Sequence, residues 1–321
     1  MKKTLAVLIT ALGATGAHAQ AYPENCAAVR IVVPYAPGGS ADIGARIVAE
    51  RLTQTLKKNV VVENRPGATG NIGNMVVAKA APDGCTLLVN GTVIATFVHS
   101  FPELGFDPYR DFVPVGGIAI TPTVIVAPLS NPAKSVADLV QASKAGANGL
   151  SYAVAGFGLQ QHLVVEDIAA RTGAKFTYVA YKGAGGTGMT DLVSGRVDFA
   201  SFLAGTTTAF IRDGKLKLLA VVQDRRSPLL PDAPTTAEQG FPGLYGGVHF
   251  LLFAPGATPK AAVATLESQL RAIVADPAVT ERFMKIGFET TPMSSAEASA
   301  EMRKIGDAMG PVIKRLGIKL K

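Results

Sequence analysis

The sequence predicts an α/β protein built as two similar domains. Short β-branched runs alternate with amphipathic stretches from Ile31 to Asn90, in the order strand, helix, strand, helix, strand, which calls for a mostly parallel sheet covered by helices. The same grammar restarts at Ser135, after a long extended segment from Val113 to Ala127, and a second long extended segment, Val248 to Ala254, follows it. With 321 residues, 48% of them hydrophobic, the chain exceeds what one core normally holds. These observations place one α/β unit inside another. Residues 23–121 and 247–321 form the first domain, residues 122–246 are inserted into it, and the two long strands carry the chain between them.

The first 19 residues stand outside this fold. Lys2 and Lys3 precede an apolar run from Leu5 to Leu12, and Ala17-His18-Ala19 supplies a small-residue cleavage site, the pattern of a secretory signal peptide. No later apolar run reaches the roughly 18 residues of a membrane span. Residues 112–128 come closest, and Pro114, Gly116, Gly117 and Pro122 interrupt them. The chain is therefore expected to be soluble and exported. An exported chain meets an oxidising compartment, where Cys26 and Cys85 allow one intramolecular disulfide; two buried free thiols are the alternative. The 31 Lys and Arg exceed the 24 Asp and Glu but form no basic run, which argues against a nucleic-acid footprint.

Taken in order, Ile31-Val32-Val33 is a strand ended by Pro34 and Pro37. Gly38 and Gly39 then permit close backbone approach, and Ser40 opens a helix with Asp42, Arg46 and Glu50 in one i,i+4 stripe. A helix starting here leaves its first N–H groups unpaired with the positive dipole end behind them, an anion site made of backbone. An ordinary βα turn, where glycine serves steric needs alone, is the plain alternative. The strand Val60 to Glu63 leads into a second Gly-rich turn, Asn64 to Gly73, then a helix from Met75 to Ala80, the turn Pro82-Asp83-Gly84 and the strand Thr86 to Asn90. The extended segment from Val113 is broken at Thr121-Pro122.

The second unit reads as helix Ser135 to Ala145, strand Leu150 to Val154, turn Gly156-Phe157-Gly158, helix Gln160 to Arg171 and strand Phe176 to Tyr181. The turn Lys182 to Gly186, a helix to Ser194, and the strands Val197 to Leu203 and Leu216 to Val222 follow, before a Pro-rich loop from Ser227 to Gly243. Helices near 259–275, 277–286 and 294–316 complete the first domain.

Gly183-Ala-Gly-Gly-Thr-Gly188 matches G-x-G-x-x-G between a strand and a helix. The dinucleotide fingerprint also needs an acidic residue closing the next strand, and that strand ends Leu203-Ala-Gly205 with Asp198 at its other end, so no cofactor is assigned. His99, His162 and His249 stand far apart and show no metal-ligand or nucleophile spacing. His162 alone sits where a helix begins, after Gly158, and could donate to the same anion as the backbone. Asp42 beside an anion site would oppose binding unless it faces a ligand ammonium, pairs with Arg46 or caps the helix.

Six ordered motifs then carry a resemblance: Pro37-Gly-Gly-Ser-Ala-Asp42, Glu63 to Gly73, Gly156 to Leu163, Tyr181-Lys-Gly-Ala-Gly185, Asp191 to Asp198 and Pro234 to Gly240. Together they resemble the Bug family of extracytoplasmic solute receptors, which serve tripartite tricarboxylate transporters, over nearly the whole mature chain. The resemblance implies a two-lobed, type II-like periplasmic-binding-protein fold with a hinged cleft. It implies a periplasmic, monomeric receptor that binds a small carboxylate (a dicarboxylate, amino acid or aromatic acid) and performs no reaction, with membrane transporter subunits as partners. An exported enzyme acting on a small organic acid through His162 and Asp42 is the rival reading. The family's ligand loops map onto Pro37, Gly38, Gly39, Ser40 and Asp42, and onto Gly156, Phe157, Gly158, Gln160, Gln161 and His162 with Lys182 and Gly183. Thr69, Asn71, Asn90 and Thr92 would line the cleft. Many members resemble Gly-Gly-x-Thr-Asp at the first turn; Ala41 stands at the Thr position, so the solute choice of Thr-bearing members does not transfer.

Overall fold

The structure, a computed structural model, describes residues 22–181, 183–227, 229–244 and 246–320. The expected signal segment and Lys182 lie outside the described residues. The first unit runs β1 (Val29–Val33), α1 (Ser40–Leu56), β2 (Val60–Asn64), α2 (Asn71–Ala78), β3 (Thr86–Gly91), a 3₁₀ turn (Thr92–Thr96), α3 (Phe97–Ser100) and β4 (Phe112–Pro128). The middle unit runs α4 (Val136–Ala145), β5 (Leu150–Val154), α5 (Gln160–Thr172), β6 (Phe176–Ala180), α6 (Thr187–Val193), β7 (Phe199–Leu203), α7 (Ala204–Arg212) and β8 (Leu216–Val221). β9 (Gly247–Pro255), α8 (Lys260–Ala275), α9 (Pro277–Met284), β10 (Glu289–Thr290) and α10 (Ser295–Leu316) follow.

The strands form one curled sheet in the order β2-β1-β3-β9-β4-β7-β5-β6, with β8 and β10 also paired to β4. β4 belongs to both lobes. Up to Pro122 it pairs with β9 antiparallel, and from Thr123 it pairs with β7 and β8. The expected break at Thr121-Pro122 is thus a change of partner within one strand. Pro122 has no N–H to give a ladder. Thr121 Oγ1 donates to the Gly287 carbonyl at 2.7 Å and accepts the Gly205 N–H at 3.0 Å, tying the lobes where they meet.

Each lobe has helices on both sheet faces, which explains the near-continuous apolar strands. On β1, Val29, Ile31 and Val33 pack in the cluster that includes α1, while Val32 packs in the opposite cluster with Leu88 and Phe253. α1 answers with Ala41, Ala45, Val48, Leu52 and Leu56, all buried and spaced as one helical face. The middle unit repeats the plan, with Tyr152, Val154 and Phe199 on one face and Ala153, Ala200 and Phe202 on the other. Cys26 and Cys85 form a disulfide that fastens the N-terminal segment to the strand beside β1.

α10 packs on both units. Its early turns cover β4 and the 3₁₀ turn, but Ile305, Met309 and Ile313 pack with Leu163 of α5, and Arg315 pairs with Asp167 at 2.6 Å.

Candidate functional site

β1, β3, β5 and β7 end at one cleft, and each hands the chain to a helix or a 3₁₀ turn there. Open α/β sheets bind ligands at this place, outside the carboxyl ends of their strands. Counted together with the solvent at its mouth, the cleft takes in about 520 Å³ of empty space. Gly39, Ser40 and Ala41 line it from α1, Gln160 and Gln161 from α5, and Thr206 from α7. The caps of these three helices, Gly39, Leu159 and Leu203, have extended backbones and no side-chain hydrogen bond to the first turn. Three helices that start away from the cleft, α4, α9 and α10, are capped by Ser135, Asp276 and Ser294. The cleft therefore collects first-turn N–H groups and positive dipole ends that no side chain of the helix itself satisfies. Among the described residues no Lys, Arg or His lines it, and the polar atoms they bring to it are backbone groups and neutral side chains.

The lobes touch across the cleft. Ser40 Oγ and Thr206 Oγ1 are 2.7 Å apart, and Thr69 Oγ1 donates to the Phe157 carbonyl at 3.1 Å. Glycines let the backbones meet. A Cβ on Gly185 would stand 2.5 Å from the Pro37 carbonyl oxygen, and one on Gly183 would stand 3.0 Å from the Ala36 nitrogen.

Of the residues expected at the site, Gly39, Ser40, Asn90, Gln160, Gln161 and Gly183 are on the cavity wall. The other described ones lie around it. Pro37 and Gly38 are exposed in the turn before α1. The Gly38 N–H donates to Asp42 Oδ2 at 2.9 Å and so is not offered to a ligand. Asp42 is buried beneath the turn, where it also accepts from Arg46 Nε at 3.0 Å and Asn64 Nδ2 at 3.0 Å. Burial pushes its carboxyl up, but the bonds from Arg46, Gly38 and Asn64 outweigh it and leave the group below the usual carboxylate range. Asp42 thus shapes the Gly38-Gly39 turn from behind. Asn71 opens α2 with its Oδ1 buried and without a hydrogen-bond partner, and Thr92 is fully buried with Oγ1 in the same condition.

Gly156, Phe157 and Gly158 form the loop before α5, and His162 lies behind that loop. The sequence reading made His162 a candidate donor to the anion; its Nδ1 accepts the Gly158 N–H at 3.2 Å, its buried Nε2 has no hydrogen-bond partner, and the ring packs among Tyr152, Phe157 and Tyr178. Burial pushes its pKa down to about 4. The carboxylate of Glu166, 3.7 Å from Nε2, is engaged by the Tyr152 hydroxyl at 2.6 Å. A histidine that titrates near 6.5 when unfolded and near 4 when folded adds stability above about pH 6.5, lost as pH falls toward 4. The full loss is at most about 3 kcal/mol. Urea titrations at pH 7.5 and pH 4.5 should show a smaller acid loss in His162→Gln than in the wild type; equal losses would mean the imidazole is not held neutral.

Sequence reasoning missed α7 and with it Thr206, and also the wall residues Tyr35, Val93, Leu203, Val248 and Phe250. The strand-to-helix step Leu203-Ala-Gly205 was the available signal, since it follows the same grammar as the other cleft turns.

Comparison with known proteins agrees with this architecture. Residues 44–318 match the model of the family described as tripartite tricarboxylate transporter family receptor. The solved periplasmic binding protein BugD is 34% identical, with a TM-score of 0.86, over 91% of this chain and 98% of that one. A protein of R. palustris solved with adipate is 32% identical at a TM-score of 0.87, again over 91% and 98%. MatC from Rhodopseudomonas palustris, solved with malate, is 29% identical at 0.84, over 89% and 98%. With a family match across most of its length and a shared fold with BugD, the chain belongs to the Bug-type receptors of the tripartite tricarboxylate transporter family.

Proposed function

We propose that this receptor works in the periplasm, closes as a monomer on a small carboxylate, and delivers it unchanged to the membrane subunits of a tripartite tricarboxylate-type transporter. The observation that carries the reading is the convergence of three helix N-termini without side-chain caps, α1 from one lobe and α5 and α7 from the other, on one cavity. A carboxylate bridging them satisfies N–H groups of both lobes at once, so binding and closure are one event. The neighbours solved with adipate and malate support the ligand class.

In this reading the lobes are 23–121 with 247–321, and 122–246, hinged where β4 and β9 cross between them. The ligand-binding set is Gly39, Ser40 and Ala41 facing Gln161, Gly183 and Thr206, and the Gly156–Gly158 loop and Asp42 hold those groups in place.

The test is ligand release followed by thermal titration. Protein unfolded in denaturant should release a small carboxylic acid identifiable by mass spectrometry. The refolded protein should regain that acid intact, with about 2.7 kcal/mol of added stability at 100 times its Kd. Conversion of the acid on incubation would replace the receptor reading with an enzymatic one.

A further inference from the structure

We propose that the solute is a monocarboxylate whose other end is hydrocarbon, a branched aliphatic or aromatic acid, and not a dicarboxylate or hydroxy acid; this rests on the carboxylate reading above. The cavity wall is chemically divided. The first turns of α1, α5 and α7 supply its polar atoms, whereas the elements beside the crossing strands supply side chains of another kind: Val93 after β3, Leu203 at the end of β7, and Val248 and Phe250 on β9. Leu159 and Ala155 extend this apolar wall from the β5–α5 loop.

The one polar side chain that β3 brings to the wall is committed except for one Nδ2 hydrogen. Asn90 Oδ1 accepts from the Tyr35 hydroxyl at 3.1 Å and from the Gly91 N–H at 2.7 Å, and its Nδ2 donates to Asn74 Oδ1 at 2.9 Å. The Tyr35 hydroxyl spends its proton on that bond. A carboxylate or hydroxyl set against Val93, Val248 and Phe250 would lose its water to apolar side chains, with no more than the one spare Nδ2 hydrogen of Asn90 on that part of the wall to replace it. A methyl, isopropyl or phenyl group would lose nothing and bury apolar area against side chains that are themselves 3–6% exposed.

The two ends of the ligand can be tested separately on the mature chain stripped of bound solute by unfolding and refolding. Hexanoate, 4-methylpentanoate and benzoate are titrated calorimetrically against adipate, malate and hexanamide. The six-carbon set isolates each end: adipate adds a second carboxylate to hexanoate, and hexanamide removes the first charge. Hexanoate should bind about tenfold or more tighter than adipate. The near-isosteric Val93→Thr and Val248→Thr variants should narrow or reverse that ratio without a change in fold by circular dichroism. Adipate or malate binding as tightly as hexanoate would overturn the hydrocarbon-end inference while leaving the carboxylate reading intact. Hexanamide binding as well as hexanoate, or no acid of either set binding, would overturn the carboxylate reading and this inference with it.

Discussion

Gly185→Val should leave the ligand-free protein folded and abolish measurable binding. A Cβ at this position would lie 2.5 Å from the Pro37 carbonyl oxygen, 2.9 Å from the Gly38 carbonyl carbon and 3.0 Å from the Gly39 nitrogen. All three are backbone atoms of the opposite lobe, so no rotamer change relieves the contact. Gly185 is not among the glycines with positive φ, so its own backbone accepts a side chain. When the lobes stand apart the valine has room, and the penalty falls on closure alone. If closure is how the solute gains its contacts on the second lobe, affinity should fall by at least about 100-fold, or about 2.7 kcal/mol. Calorimetry with the released solute reads this directly, beside a ligand-free melting temperature that stays put. Normal binding by the variant would show that the cleft does not need this approach of Pro37–Gly39 to Gly185.

Removing the disulfide should produce the largest change in stability. Cys26 and Cys85 are 59 residues apart, and cross-linking a loop of that size stabilises a chain by about 4 kcal/mol on the chain-entropy account, which is model-dependent. At roughly 2.1 cal/mol/K per residue of unfolding entropy, that corresponds to a fall of about 6 °C in Tm. The sheet should survive. Arg30 N–H still donates to the Cys85 carbonyl at 2.8 Å, and β1 is paired on both sides without the cross-link. Calorimetric scans of the wild type with and without reductant, and of Cys26→Ala/Cys85→Ala, provide the measurement. An unchanged Tm in all three would mean that the loop is already constrained in the unfolded chain.

Much of the architecture was legible because its signals are local. The run Leu150 to Val154 is a strand with the bounds its β-branched and aromatic residues suggest, and the helix after Gly158 begins at Gln160 as its turn implies. Two cysteines allowed one intramolecular pairing or two free thiols, and the pairing is the one formed. α7 was not legible, and the reason is physical. It opens on Ala204-Gly205 and continues through Thr206-Thr207-Thr208, a glycine and three β-branched residues of poor helix propensity, with Leu203 where a capping side chain would be sought. Burial of Ala204, Gly205 and Thr207 against β4 and β8 overrides that propensity. The contribution of α7 to the site went unseen with it.

His162 illustrates a second limit. Its place in the first turn of α5 was readable, but whether the imidazole faces the cavity or the back of its own loop depends on the rings of Tyr152 and Phe157, which no spacing rule reports. Asp42 was left between a ligand contact and a partner of Arg46. Its three bonds to Gly38, Arg46 and Asn64 fill both carboxylate oxygens and make it part of the frame.

α10 has a consequence for how this molecule comes apart. Its early turns lie on β4 and the 92–96 turn, its later turns pack on Leu163, Arg315 holds Asp167, and beyond it the Leu320 N–H donates to the Ser100 carbonyl at 2.6 Å. Neither lobe can lose its structure without exposing the apolar stripe of a helix that the other lobe also covers. That shared burial ties the free energies of two units that would otherwise melt as separate foldons. The two lobes should therefore denature in a single calorimetric transition, and strain placed in one of them should lower the melting of both.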